Sequence, residues 1–456
     1  MKNNIFKKGL ISVIILFLIG SGLASGYQGS NSFYKCDYQA IEDTKSDYVF
    51  DAEYPTMNPI PIESIHPNLD VYDIIIIDTP DEFSWKNHEG EDWTTPARNQ
   101  GECGSCWLFG TLGTFESVIK IKEGCANLNP DLSEQYVLSC IPDAGSCHGG
   151  DPYNCAFKYI MNTSASGNFH NGVILEKCFT YQSNFDYTPL CSEKDENWEE
   201  FLVPISDFWQ SGFWNINNPD LKDTIKSLIY TKGPVYSVYW VGSNFKPWGT
   251  THHNPTDYYP DLDEECPGYV NHGISIVGWK DDPSIENGGY WIVKNSWGPE
   301  WGYEGFFNLE YDCLNMGAFV AWVDYDPNSF DWPADPHPPS TPMINGPTSG
   351  TVGTQCEYIV SSSDPDGDPV YYTVDWDDES VEEYIGPYNS GEEVILRHSW
   401  NRQGSYNIKV KATDEWGSPS DWATISVSMP KNKQLFNRPI LRFFSQLLDL
   451  FNFANK

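Results

Sequence analysis

Two cysteines stand three apart in the peptide "NQGECGSCWLFG", Cys103 and Cys106. That spacing serves zinc knuckles, thiol–disulfide redox motifs and one class of nucleophilic enzymes. The residues after the second cysteine narrow the choice. In "CWLFGTLGTFESVIKIKEG" the residues Trp107, Leu112, Phe115 and Ile119 recur at helical spacing, Phe109 less regularly, and Gly124 supplies a stop. Cys106 is therefore expected at a helix N-terminus. Unpaired N–H groups and the helix dipole stabilise an anion there, so its thiol ionises more easily and can attack at neutral pH. The glycines just upstream let the backbone approach a substrate closely. Zinc would need four convergent ligands, and no second CxxC is present.

A thiolate nucleophile needs a base, and the base needs a group to orient it. Among nine histidines, His272 stands apart. In "CPGYVNHGISIVGWK" it opens an apolar, strand-like run and is followed by Gly273. Further on, "GGYWIVKNSWGPEWGYEGF" places Asn295 at the end of a second apolar strand. The Asn295 amide oxygen can accept from one ring nitrogen of His272, which fixes the tautomer and turns the other nitrogen to the thiolate. Trp297 is placed to shield that bond from water.

These elements sit in a chain of 456 residues, long enough for two folded units with appendages. Asp and Glu number 64 against 27 Lys and Arg, a net charge of −37. Such a surface repels phosphate backbones, so nucleic acid is excluded as a partner. The first 26 residues have a basic start (Lys2, Lys7, Lys8), an apolar run and then small residues. This is the pattern of a secretory signal peptide, with an uncleaved N-terminal anchor as the alternative, and the protein is expected to be exported, with its cysteines under oxidising conditions. Residues 27–79 are polar and acidic, contain "NPIPIESIHPN" and close on the strand-like run "VYDIIIID". Residues 328–340 are rich in proline and serine and read as a linker. Beyond them "PVYYTVDWDD", "EEVILRHSW", "GSYNIKVKATD" and "DWATISVSM" alternate apolar and polar residues, as short strands of an all-β sandwich do. In the last segment, 431–456, Ile440, Phe444, Leu447, Leu448 and Phe451 fall on one helical face. It is short and charged for a bilayer span; packing on the sandwich or fraying is the favoured reading, with lying on a membrane or binding a partner as the alternatives.

Four blocks, "NQGECGSCW", "SCHGG" at 146–150, "VNHGISIVGW" and "YWIVKNSWGPEWGYEGFF", occur in the order nucleophile, histidine, asparagine. Together they resemble the papain-like cysteine peptidases over residues 80–327. The resemblance implies an α+β fold with a helical lobe and a β-barrel-like lobe, and peptide-bond hydrolysis without a cofactor or metal. It assigns Cys106 as nucleophile, His272 as general base and acid, Asn295 as the orienting group and Gln100 as a side-chain donor to the oxyanion. Gly149 and Gly150 resemble the strip that pairs with substrate backbone, and Trp297 lines the primed side. The family's disulfides imply the pairs Cys103–Cys147, Cys140–Cys191 and Cys266–Cys313. Cys155 and Cys178 are candidates for a further pair, while Cys36, Cys125 and Cys356 are unassigned.

Three features depart from the family pattern. Leu108 stands where a smaller residue is usual. The interval from Cys106 to His272 exceeds the customary ~130–150 residues, with the excess placed in loops such as the one holding His252 and His253, read as a solvated insertion. The leader also lacks the long helical inhibitory segment common in the family, so inhibition by residues 27–79 is expected from position only.

Residues 341–430 resemble PKD domains, immunoglobulin-like sandwiches of extracellular proteins. The resemblance rests on "DPDGDPVYYTVDWDDES", on His398, Trp400, Gly404 and Tyr406, and on Asp414. Asp364, Asp366 and Asp368 could present oxygens to calcium, but a plain acidic turn is favoured because a full twelve-position loop is absent. The expectation is a monomeric, secreted cysteine endopeptidase acting on proteins or peptides. Its sandwich would contact cell-surface polysaccharide or protein. A transpeptidase with the same motifs and a non-catalytic adhesion protein are the alternatives, the second opposed by the intact Cys106, His272, Asn295 and Gln100.

Overall fold

The computed structural model describes residues 56–62, 74–150, 155–161, 171–184, 186–212, 220–260, 268–333 and 336–430. The expected signal peptide, Cys36, most of the expected leader, Cys266 and the 431–456 tail lie outside the described residues.

Helix α1, Cys106–Glu123, is the axis of the N-terminal half, and every residue from Cys106 to Lys120 is buried. A helix buried on every side belongs inside a core rather than on a surface. It ends at Gly124, whose left-handed φ of 67° lets its N–H return to the carbonyls of Lys120 and Ile121. Helix α2, Glu134–Cys140, begins at Ser133, whose hydroxyl accepts from Tyr136 N. These helices and the short one at Ala156–Met161 form the helical lobe, around Leu112, Phe115, Val137 and Phe157.

The other lobe is a seven-stranded sheet. Its strands are β1 (Glu82–Ser84), β2 (Asp207–Gly212), β3 (Val235–Tyr239), β4 (His272–Asp281), β5 (Gly289–Lys294), β6 (Phe306–Glu310) and β7 (Phe319–Asp324). The order is β6-β5-β4-β3-β7-β2, with β1 also pairing with β4. The registers are antiparallel throughout, including His272 opposite Tyr239 and Ser275 opposite Lys294. Trp279, Trp291, Phe307 and Val320 make the core on this side.

Two glycines set how closely α1 can lie on β4. A Cβ on Gly110 would come within 2.8 Å of Ile274 N, and one on Gly273 within 2.8 Å of Trp107 Cα. Any larger residue would push the helix N-terminus away from the strand that starts with His272. Leu108 is accommodated with no exposure at all, inside the helical-lobe core.

The run Ile74–Asp78 is not a strand: Ile75 is 79% exposed, and Ile77 is tied to the sheet lobe by its N–H to Ser227 Oγ at 3.1 Å. A strand needs a neighbouring edge to satisfy its backbone, and β propensity alone does not supply one. The sandwich follows the alternating pattern. A three-stranded sheet orders β8 (Met343–Asn345), β9 (Cys356–Ser361) and β12 (Val394–His398). A four-stranded sheet orders β11 (Val381–Tyr388), β10 (Val370–Asp375), β13 (Gly404–Asp414) and β14 (Ala423–Met429). Tyr358, Tyr372, Trp376 and Trp400 fill the space between. His398 stacks on Trp376 at 4.6 Å and places Nε2 2.9 Å from Asp378 Oδ2. In the turn after β10, Asp377 and Glu379 adopt φ of 59° and 74°, taking conformations that glycine usually supplies.

The linker is held down. Trp332 is buried, donates its indole N–H to Tyr325 Oη at 3.0 Å and lies 6.3 Å from Trp416 of the sandwich.

Candidate active site

His272 opens β4 and Asn295 follows the last residue of β5, so the β4–β5 pairing brings them together. His272 Nε2 lies 2.8 Å from Asn295 Oδ1. The same oxygen accepts from Ser296 N at 2.9 Å, which fixes the amide's orientation. The Trp297 ring sits 4.7 Å from the imidazole and covers that bond. His272 Nδ1 is buried and has no hydrogen-bond partner among the described residues. The backbone N–H of Gly273, next along the chain, favours the Cys106 thiolate, as do the N–H groups of Trp107 and Cys106 itself. Donors converging on sulfur are what a thiolate, and later an oxyanion beside it, requires.

Gln100 is fully buried beside this pair. Its Nε2 donates to Cys103 O at 2.7 Å and its Oε1 accepts from Ser296 Oγ at 2.6 Å, so the amide cannot flip without losing both bonds. Gln100 O accepts from Tyr181 Oη at 3.0 Å, and that hydroxyl lies 2.7 Å from Ser105 Oγ. Neither Ser296 nor Tyr181 stands out in the sequence; Ser296, next to Asn295, is the findable one.

The cleft above these residues is filled by the chain's own residues 56–62. Met57 N donates to Asn271 O at 3.0 Å, Asn58 N to His148 O at 3.0 Å and Ile62 N to Gly268 O at 2.8 Å. Ile60–Pro61 pairs with Tyr269–Val270. The Met57 backbone also pulls the Cys106 thiol down, as the donors of the site do. Gly149 and Gly150 form a short strand with Gly145–Ser146, and a Cβ on Gly149 would stand 3.1 Å from Met57 Cβ. A Cβ on Gly150 would strike the Trp107 ring at 2.8 Å. The glycine strip thus faces the segment that now occupies the cleft.

Covering has an electrostatic result. Cys106 and His272 are both 0% exposed. Burial pushes the Cys106 thiol up to about 11, against the pull of the surrounding N–H groups. Burial also lowers His272 to about 3, although Asn295 opposes the shift. Both groups are neutral near pH 7 in this state.

Cys103 is bonded to Cys147 and Cys140 to Cys191. The first bond leaves Cys106 as the unbonded member of the CxxC. Cys313 is described, but Cys266 is not. The candidate pair Cys155–Cys178 is not formed; both are free, buried thiols that burial raises to about 12. They are held on separate supports, Cys155 N by Gln210 Oε1 at 3.0 Å and Cys178 by the turn whose carbonyl receives Asp195 N at 2.8 Å.

His252 and His253 serve their loop: His252 stacks on Trp248 at 4.6 Å, and His253 Nδ1 lies 2.7 Å from Gly302 O. Asp364 Oδ1 accepts from Asp366 N and Asp368 N, closing the acidic turn on itself. Among the described residues no cluster of His, Cys, Asp and Glu is arranged to hold a metal.

A layer of buried charge underlies the site and has no counterpart in the sequence reading. Lys294 Nζ lies 3.7 Å from Glu116 Oε2 and donates to Thr95 Oγ1 at 2.5 Å, while Leu132 N donates to Glu116 Oε1 at 3.1 Å. Burial raises Glu116 and lowers Lys294, the shifts of a pair held out of water. The available signal was an acid, Glu116, in a helix with no other charged residue from Cys106 to Ile119.

Residues 79–319, just over half of the chain, match the family model of the papain family cysteine proteases, and residues 336–429 match that of the PKD domain. Cathepsin J of Mus musculus is 29% identical over 276 residues, which cover 60% of this chain and 72% of that protein. Pro-cathepsin H of Bos taurus is 29% identical over 248 residues, 54% of this chain and 64% of that protein. The chain therefore spans about two thirds of the length of these relatives. Among solved structures, the PKD domain of an M14-like peptidase from Thermoplasmatales archaeon SCGC AB-540-F20 is 45% identical, with a TM-score of 0.21, covering 21% of this chain and 99% of that one. With the family matched over more than half its length, the chain belongs to the papain family of cysteine proteases and is a papain-like cysteine peptidase carrying a C-terminal PKD domain.

Proposed function

We propose that this protein is a secreted cysteine endopeptidase made as a covered precursor. Its nucleophile is Cys106, its general base and acid His272, its orienting group Asn295 and its oxyanion donors the Cys106 N–H and Gln100 Nε2. One observation carries the reading: the His272–Asn295 bond under Trp297, with Nδ1 left unpartnered on the residue before Gly273, whose backbone acts on the Cys106 thiol at a helix N-terminus. Once residues 56–62 leave the cleft, water and substrate reach the thiol. His272 then takes its proton, and the thiolate attacks the scissile carbonyl to form a C–S bond. The oxyanion is held by the two donors while His272 protonates the leaving amine and the C–N bond breaks. Water, deprotonated by His272, attacks the thioester and returns the thiolate and a carboxylic acid. Gly149 and Gly150 offer backbone to an extended substrate on the face where Asn58 now bonds His148 O. Export is supported by the basic, apolar and small-residue order of the first 26 residues.

The test is hydrolysis of fluorogenic peptides by the processed, reduced protein and by Cys106→Ala. The wild type is expected to turn over and the variant to be silent. Equal signals from the two would refute the assignment of the nucleophile, and silence in both would refute the peptidase reading.

A further inference from the structure

Arg98 lies two residues before Gln100, on a segment that runs antiparallel to residues 296–298. Gln100 N donates to Ser296 O at 3.0 Å, Asn99 bridges Trp297, and Gly298 N donates to Arg98 O at 3.0 Å. One side of this clip carries the oxyanion amide; the other is the chain directly after Asn295. The Arg98 side chain anchors the clip from below. Its Nη2 is 2.9 Å from Oδ1 of Asp131, whose side chain is only 7% exposed. The other Asp131 oxygen, Oδ2, accepts from the hydroxyl of Tyr384, and Tyr384 belongs to the sandwich.

Tyr384 reaches that point at a conformational cost. Its φ is +51°, unusual for an aromatic residue, within the stretch of β11 where the pairing with β10 twice slips register. A bulge of this kind re-aims a side chain, and the strain persists only where surroundings hold it. The surroundings here are the contact between sandwich and helical lobe. Asn129 Nδ2 donates to Gly417 O, Lys177 Nζ is 3.3 Å from Glu415 Oε2, and the same ammonium lies 5.5 Å from the Trp416 ring. Without the Tyr384 hydroxyl, a buried carboxylate oxygen would lose its donor and compete for Arg98.

We infer that the sandwich is a working part of the peptidase: Tyr384 is a positioning residue that, through Asp131 and Arg98, fixes the segment presenting Gln100 to the oxyanion. The inference rests on the peptidase reading above. It asks more of the sandwich than contact with an outside surface.

The experiment compares the full-length, leader-processed wild type with Tyr384→Phe, Asp131→Asn, the double variant, and Arg397→Ala, an exposed control within the sandwich. Three readouts separate positioning from folding: kcat and KM on a fluorogenic peptide, affinity for a peptide aldehyde, and the rate of Cys106 alkylation by iodoacetamide. The aldehyde forms a hemithioacetal whose oxygen needs the oxyanion donors, whereas alkylation does not. Tyr384→Phe is expected to lower kcat about tenfold, below the ~10²–10³ of losing a donor outright, with KM within about twofold of wild type. Aldehyde affinity should fall by the same factor as kcat, and the alkylation rate should hold. The double variant should be no worse than the more damaged single one, because the two residues act in series. Arg397→Ala should match wild type. Wild-type kcat and aldehyde affinity in Tyr384→Phe would overturn the inference, as would a parallel fall in all three readouts with a lowered Tm. If Tyr384→Phe does not fold, Glu415→Gln at the rim of the same contact must give the same split pattern, and its absence counts equally against. A wild type that neither cleaves peptides nor binds the aldehyde removes the peptidase reading itself, and this inference with it.

Discussion

Cys106 and His272 are shut from water under Met57, and burial opposes charge on both. The direction of each shift gives a pH dependence. A thiol raised to about 11 in the covered state and lower when uncovered favours uncovering as pH rises past its ordinary 9.0. An imidazole lowered to about 3 favours uncovering as pH falls below its ordinary 6.5, because only the open state accepts the proton. The covered state is therefore most stable between those values. Iodoacetamide labelling of Cys106 in unprocessed protein should be slowest near neutral pH and accelerate, relative to a model thiol, on either side. A flat relative rate would contradict the burial account. At the same scale, Gln100→Ala should lower kcat by ~10²–10³ with little change in KM, measured on the processed enzyme. Cys106, His272 and Asn295 were legible as candidates because a helix start, a strand start and a strand end each leave a local mark. Asp131 and Arg98 were not, because their meaning lies in partners far along the chain and in burial that a sequence does not state.

The elements that place these residues do so through close backbone approach. Helix α1 rests on β4 because Gly110 and Gly273 have no side chains. Gly110→Ala should lower stability by ~1–3 kcal/mol, read from denaturant midpoints, and reduce activity by shifting Cys106 from His272. Full activity at full stability would show that helix and strand have room to spare. The helix was legible from its spacing and its stop at Gly124, and the sandwich strands from their alternation. The run Ile74–Asp78 misled because apolar, β-branched residues read as a strand whether or not an edge is there to receive them. The cleft-filling segment around Met57 and Ile62 was also illegible as such: a short stretch bonding by backbone atoms leaves almost no side-chain signature. Ile62→Asp should loosen it, since Ile62 is 2% exposed, and should speed Cys106 labelling in the unprocessed chain at neutral pH.

Across the whole molecule, the sandwich is joined to the peptidase by Trp416 against Trp332, by Lys177 with Glu415 and by Tyr384 with Asp131. A contact that includes buried polar groups should couple the two units in unfolding. Calorimetry of the wild type is expected to give one transition, and Trp416→Ala two, the sandwich separating from the peptidase. Two wild-type transitions at low scan rate would mean that the units are only tethered.

Everything proposed for the chemistry depends on one cysteine of the pair near residue 100 being the working thiolate while the other is structural. The decisive measurement treats the processed protein with an epoxide thiol trap under non-reducing conditions and maps the adduct by mass spectrometry. One adduct per molecule is expected, on Cys106, with activity lost in proportion and no adduct in His272→Ala at the same exposure. Adduct on Cys103, Cys155 or Cys178, or complete inhibition without adduct on Cys106, would contradict that division of labour.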